Sequence, residues 1–278
     1  MNTLAARLSQ LARGLAGRSQ RRGPVAMLHY GRCGSSVLAD LIGRHPRVYW
    51  DEEVFRRMLR KTCLEARFIG DPFRLLRVRM MRAAGRCYGF ETKCHEAYDL
   101  GAPMLNMSIE RLLDTLIEEM GYRRFIVLKR RNYLRQQISV EVGRQVKRWH
   151  HPAGASPRLH PITLDLDRVG FGWEDLPLLD SFAERDRGYD RIARRLDGQR
   201  VLRLTFEDDV LPDPLRGYRR VCDFLDLVPG RPEVQRARTN PFALRELLNN
   251  YDEVAAALRS TSYAWMLEDE PGVQQKRT

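Results

Sequence analysis

The chain has 278 residues, 43% of them hydrophobic and 30% charged, with a net charge of +12. That is enough apolar material for one large α/β domain or two small ones, and no apolar run reaches the about 18 residues that would suggest a membrane span. The five cysteines (Cys33, Cys63, Cys87, Cys94 and Cys222) are odd in number and form no C-x-x-C pair, which speaks against a disulfide framework or a zinc site and for a reducing, cytoplasmic compartment.

The basic balance suits an anionic partner: nucleic acid, an acidic membrane surface or a polyanionic small ligand. A merely solvated basic surface fits it equally. Residues 1–22 hold Arg7, Arg13, Arg18, Arg21 and Arg22 and no acid. A solvated terminus, an organelle transit segment and an amphipathic helix lying on an anionic surface all match that composition. The last would bring a peripheral contact with the inner membrane face.

In chain order, PVAMLHY (24–30) predicts a buried strand, and SSVLADLIGR (35–44) a helix opened by hydroxyl residues suited to N-capping. RVYW (47–50) and YGFETK (88–93) predict two further strands. Between them, residues 55–87 read as a basic helical insertion carrying Arg56, Arg57, Arg60, Arg67, Arg74, Arg77, Arg79, Arg82 and Arg86. ERLLDTLIEEM (110–120) has helical periodicity and is stopped by Gly121. RFIVLK (124–129) predicts a strand and LRQQISVEVGRQV (134–146) a helix. Residues 149–181, rich in Pro, Gly and His, predict a long acceptor-side loop with one short helix at most. RVLRLTFE (200–207) and PLRGYRRVCDFLDL (214–227) supply the last strand and helix of the alternation. Strands alternating with helices predict βαβ units: a three-layer α/β domain with a central, mostly parallel sheet flanked by helices. We expect one domain over 23–270 and a tail over 271–278.

The stretch LHYGRCGSSVLADLIG (28–43) carries the first chemistry. A helix N-terminus reached through a glycine-rich turn offers free N–H groups to an anion. Gly31 and Gly34 let the backbone approach it, Ser35 and Ser36 add hydroxyl donors, and Arg32 adds a fixed bidentate charge. The ATP-type pattern G-x-x-x-x-G-K-[ST] is missing, as is its lysine, so the expected ligand is an anion held without a metal.

GRCGSSVLADLIGRHPRVYWDEEVF resembles the 5′-phosphosulfate loop of sulfotransferases that use 3′-phosphoadenosine 5′-phosphosulfate (PAPS), in particular the bacterial carbohydrate and glycolipid members. Those have a strand, G-R-S-G-[ST]-[ST], a helix, an H-P pair and a G-E-[IV]-F-like segment. Cys33 stands here where serine is commoner, and Glu52 where glycine is. FIVLKRRNYLRQQIS (125–139) is similar to the family's 3′-phosphate segment, with Arg131 at the strand end and Ser139 on the following helix. Asn132-Tyr133 replaces the family's frequent Asp-Pro or Asn-Pro. The likeness covers most of residues 24–267 and is weakest in the insertion and the acceptor-side loop.

The resemblance implies a P-loop-like fold, PAPS as sulfuryl donor with PAP as product, no metal, and a carbohydrate or glycolipid acceptor. It implies nucleotide binding by Gly31, Arg32, Cys33, Gly34, Ser35, Ser36, Arg131 and Ser139. The family's catalytic carboxylate falls on Glu53, with Glu52 as fallback. Arg32 would neutralise the leaving oxygen. Lys93 and His95, just after YGFET, would point into the same cleft, and His95 is an alternative base. Cys33 would have a lowered pKa beside Arg32 and a helix N-terminus. Tyr30, Tyr133, Trp149 and Phe206 are candidates for stacking on the nucleotide or for ordinary packing. His150, His151 and His160 lie in the acceptor-side loop without metal-ligand spacing.

Two other functions compete. A P-loop kinase of nucleotides or small metabolites would need a loop lysine and an acid to hold Mg²⁺. A non-catalytic nucleic-acid binder would interleave aromatic and basic residues, and 55–87 has few aromatics; no nucleic-acid partner is expected.

Overall fold

Strand β1 (Val25–His29) is buried at every position, as a strand covered on both faces must be. Its alternating side chains enter two separate cores. Ala26 and Leu28 pack with Phe90, Phe125 and Ile138, whereas Val25 and Met27 pack with Leu38, Ile126 and Val221. These two cores are the interfaces of a three-layer α/β domain. The computed structural model describes residues 23–58, 71–94, 107–172 and 174–270. The basic segment 1–22, the tail 271–278, His95, and Arg60, Cys63 and Arg67 of the insertion lie outside the described residues.

After β1 come helix α1 (Ser35–Gly43), strand β2 (Val48–Glu53) and the short helix α2 (Val54–Met58). Helix α3 (Pro72–Met81) and strand β3 (Cys87–Lys93) follow, then α4 (Ile109–Asp114), strand β4 (Arg124–Lys129) and helix α5 (Tyr133–Val146). Beyond them lie strands β5 (His151–Pro152), β6 (Val169–Phe171) and β7 (Glu174–Leu176), helix α6 (Leu178–Arg195), strand β8 (Arg200–Thr205) and helix α7 (Pro214–Phe224). The chain continues through β9 (Arg236–Ala237), α8 (Leu244–Leu247) and α9 (Tyr251–Arg259).

The central sheet runs β2-β3-β1-β4-β8, and every neighbouring pair in it is parallel. The chain leaves β1 toward one edge strand, β2, and leaves β4 toward the other, β8. The carboxyl ends of the adjacent strands β1 and β4 therefore bracket a topological switch point, where open parallel sheets form their binding crevice. Among the described residues no helix is long and apolar enough to cross a membrane.

Five sequence expectations need correction. The serines do not cap α1: its N-cap is Gly34 in the left-handed region (φ 83°), which makes no side-chain capping bond. The helix over 110–120 is α4 continued by a wider π turn, Thr115–Glu119, and the strand expected to reach 207 ends at Thr205 in a second π turn, Phe206–Val210. The stretch 149–181 is not a plain loop. It contains β5, which pairs with β9, and the β6–β7 hairpin, and it opens the long helix α6. Finally, the basic insertion serves the fold as well as the surface. Arg79 on α3 is buried in a bidentate pair with Asp51 of β2, which also accepts from the Tyr88 hydroxyl at 2.8 Å. Arg77 pairs at the surface with Glu119, 3.2 Å away.

Candidate functional site

The loop between β1 and α1 turns through three left-handed residues: Gly31 (φ 77°), Arg32 (φ 48°) and Gly34. For Arg32 that conformation costs about 1–2 kcal/mol, strain of the kind that collects at functional sites. Hydrogen bonds hold the turn, one of them from Arg130 Nη1 to the Arg32 carbonyl at 3.3 Å. The Gly31 amide donates to His29 Nδ1 at 2.9 Å, and the Gly31 carbonyl accepts from Gln136 Nε2 of α5 at 2.5 Å. His29, wholly buried, directs its other ring nitrogen at Glu91, 3.2 Å away. Gly34 is required twice over, since a Cβ there would lie 2.7 Å from Val210.

A cavity of about 320 Å³ opens at the carboxyl ends of β1 and β4. Loop residues Arg32, Gly34, Ser35 and Ser36 line it, together with Arg130 from the end of β4 and Ser139 from α5. Arg236 and Arg238 come from around β9, and Trp149 and Phe206 supply aromatic faces. Among the described residues, four arginines line the cavity and no acidic side chain does. Arg32 spans it, donating to Ser139 Oγ (2.9 Å), the Trp149 carbonyl (2.7 Å) and Thr239 Oγ1 (3.2 Å), all neutral acceptors. Burial and the neighbouring Arg130 lower Arg32 to about 10, which leaves it charged at neutral pH. Arg130 pairs with Glu270 at 2.7 Å and lies over the Phe206 ring at 4.4 Å; Arg238 shares the same glutamate. Cys33 is buried beneath the loop and does not line this cavity.

Arg131 does not line it either. The Glu207 carboxylate accepts from the backbone amides of Arg131 and Asn132 at 3.0 Å, and Asn132 caps α5 by accepting from the Arg135 amide at 2.9 Å. With the turn held this way, the Arg131 side chain lies at the surface and pairs with Asp208 at 2.7 Å. Arg130 takes the place on the cavity wall. In the sequence Lys129, Arg130 and Arg131 form one basic run at a strand end, and only the position of Glu207 tells them apart. Arg236, Arg238 and Thr239 are likewise absent from the sequence reading. They reach the cavity because β9 pairs with β5.

A second cavity, about 140 Å³, shares Arg32, Ser35, Ser36, Trp149 and His150 with the first and adds Glu53, Lys93, Arg56, Arg144 and Arg185. Glu53 lies 3.1 Å from Lys93 Nζ and 3.1 Å from Arg56. Burial alone would raise its pKa, but the surrounding cations, Lys93 foremost, outweigh burial and hold the carboxyl below its ordinary range. The register of β2 against β3 shifts between Trp50 and Glu53, and Glu52 is left-handed (φ 49°). The alternation expected of an extended segment is therefore broken, and Glu52 and Glu53 border one outer groove together. The Lys93 stem packs on the loop, its Cε 3.2 Å from where a Cβ on Gly31 would sit.

His150 touches both cavities. Partial withdrawal from solvent, with Arg236 and Arg32 nearby, lowers it to about 4, so it is neutral at physiological pH. Of the expected stacking residues, Trp149 and Phe206 line the first cavity and Tyr30 the second. Tyr133 is buried, its hydroxyl donating to Asp186 at 2.6 Å. Among the described residues no group of three or more His, Cys, Asp or Glu side chains is placed to hold a metal ion. No protein-family model, curated protein or solved structure matches the chain.

Proposed function

We propose that the protein is a PAPS-dependent sulfotransferase that moves a sulfuryl group to a hydroxyl of a carbohydrate or glycolipid. The observation that carries this reading is the first cavity: four arginines and no acid, at the switch point of the sheet, opening on a glycine-hydroxyl loop and adjoining an ionised glutamate. A nucleotide with phosphate groups at both 5′ and 3′ positions matches a cavity whose cations come from the loop (Arg32), the end of β4 (Arg130) and the region of β9 (Arg236 and Arg238). The loop amides, Ser35, Ser36 and Arg32 take the 5′-phosphosulfate. Arg130 and Ser139 take the 3′-phosphate, and Trp149 and Phe206 flank the base. When the nucleotide enters, Arg32 exchanges its three neutral acceptors for phosphosulfate oxygens.

The reaction is an in-line displacement, close in logic to phosphoryl transfer. The acceptor oxygen forms its bond to sulfur as the bond from sulfur to the 5′-phosphate oxygen breaks. The acceptor proton passes to Glu53, and PAP leaves with the electron pair of the broken bond. Arg32 and Lys93 stabilise charge on the leaving oxygen. Because Glu53 is a weak base held ionised by its neighbours, it takes the proton late, once the acceptor oxygen has gained acidity by bonding to sulfur. On this reading the protein works in the cytoplasm and meets the inner membrane face when its acceptor is a glycolipid. The kinase alternative has neither the loop lysine nor the G-x-x-x-x-G-K-[ST] spacing. The nucleic-acid alternative has its arginines in a concave site of nucleotide size.

Calorimetry with PAP in the presence of EDTA tests the reading; we expect binding unchanged by the chelator. Binding that EDTA abolishes would overturn it. Incubation with PAPS and a panel of sugars, read by mass spectrometry as the gain of one SO₃, then identifies the acceptor.

A further inference from the structure

Buried arginines in this protein come with carboxylates. Arg79 has Asp51, Arg130 has Glu270 and Arg135 has Asp269. Among the described arginines that are less than a tenth exposed, Arg185 on α6 is the exception. It is only 2% exposed, yet it lines the second cavity beside Glu53 and Lys93. Its Nη1 donates to the Ser181 carbonyl (2.8 Å) and hydroxyl (3.0 Å), and its Nη2 to Gln137 Oε1 (2.7 Å). Its Nε is buried with no partner. The guanidinium lies over the ring of Phe171 at 5.0 Å and that of Tyr133 at 5.9 Å. Among the described residues no carboxylate pairs with it. The nearest acid along its hydrogen-bond chain is Glu141, reached through Gln137 and already held by the Gly170 amide at 3.0 Å. Burial lowers Arg185 to about 10, so it carries its charge at neutral pH. An unpaired buried charge is a standing cost to a fold unless something in the site compensates it.

The rest of the cavity has the same sign. Arg32, Arg56, Lys93, Arg144 and Arg185 face a single acid, Glu53. Arg144 lies flat on the β6–β7 hairpin, where any Cβ on Gly170 would collide with its guanidinium. We propose that Arg185 is the floor of an anion subsite, so that the acceptor carries a carboxylate, phosphate or sulfate group in addition to the hydroxyl it offers to Glu53. The inference rests on the sulfotransferase reading and narrows its substrate class from neutral sugars to acidic ones. The charged group anchors the acceptor against Arg185 and leaves its hydroxyl toward Glu53 and the donor. Arg185 is a positioning residue that touches the acceptor away from the reacting atoms.

The test uses the full chain saturated with PAP and three probes titrated by calorimetry: glucuronate, glucose 6-phosphate and glucose. We expect at least one charged sugar to bind tenfold or more tightly than glucose. Arg185→Gln should bring that sugar to the glucose level while PAP binds as in the wild type, and Arg185→Lys should keep part of the preference. The two charged probes tell a carboxylate site from a phosphate site. Glucose binding as well as both charged sugars, or a charge preference intact in Arg185→Gln, overturns the inference. If Arg185→Gln does not fold, the wild-type preference and the Arg185→Lys variant decide. Failure of the sulfotransferase reading shows separately, as absence of PAP binding. The sugars are then titrated into the free protein and the same charge preference is read there.

Discussion

The two cavities share a wall and differ in how their charge is balanced. In the larger, Arg32 and Arg236 have no carboxylate partner among the described residues, and Arg130 and Arg238 share one glutamate. In the smaller, Glu53 sits between Lys93 and Arg56, and Arg144 lies 3.7 Å from Glu141 and from Asp175. The larger cavity thus keeps positive charge in reserve for a polyanion. In the smaller one, Lys93 and Arg56 hold one carboxylate ionised. The same residue types therefore serve binding in one place and proton transfer in the other, according to whether a fixed acid is present.

Glu53→Gln breaks the comparison on the side of the smaller cavity and should have the largest effect. It keeps the shape and removes proton acceptance, so turnover should fall by about 10²–10⁴-fold with PAP affinity near wild type. Single-turnover rates with any active acceptor measure it, and a normal rate would move the base to Glu52, His95 or the neutral His150. On the other side, Arg130→Ala should weaken PAP by tenfold or more, since one charge-assisted hydrogen bond is worth about 1.5–3 kcal/mol. Adenosine 5′-phosphate, without the 3′ group, should lose far less.

A pH profile sharpens the same contrast. The Glu53 carboxyl titrates below its ordinary range, and the reaction needs it ionised. The rate should therefore stay level from neutrality down through the usual carboxylate range and fall only as the pH drops through the depressed value. Lys93→Met removes the foremost cation acting on Glu53, so the acid limb of kcat/KM should move to higher pH. A limb that stays in place would show that Glu53 is not the titrating group.

How much of this could be read from the chain depends on how local each cause is. The turn at Gly31–Ser36, the helix after it and the parallel strands rest on glycine placement and apolar runs, and all are visible in short windows. Helix α6 is harder to see because its buried stripe includes Ser181, Arg185 and Gly188 among Leu178, Phe182, Tyr189 and Ile192. A buried arginine reads as a surface residue until its cavity is known. Arg236 and Arg238 depend on the two-residue pairing of β5 with β9, which no local pattern announces. The left-handed turn at Glu52 likewise upsets an alternation that the letters alone suggest.

The smallest effect is the most discriminating for the relation between motif and structure. By its spacing to Ser139, Arg131 is the arginine that the family resemblance selects for the 3′-phosphate. In the structure its guanidinium is at the surface, with side-chain exposures of 46% for Arg131 and 52% for its partner Asp208. Glu207 bonds the backbone amides there, which an alanine retains, and its carboxylate lies 3.8 Å from the Arg131 guanidinium. An exposed ion pair of this kind contributes roughly 0–1 kcal/mol, less at high salt. Arg131→Ala should therefore leave PAP binding within about twofold and stability within about 1 kcal/mol, measured by calorimetry and urea unfolding beside Arg130→Ala. A tenfold loss in Arg131→Ala with none in Arg130→Ala would mean that nucleotide binding releases Arg131 from Asp208 and turns it into the cavity. The spacing in the sequence would then describe the bound state, and the pairing with Asp208 the free one.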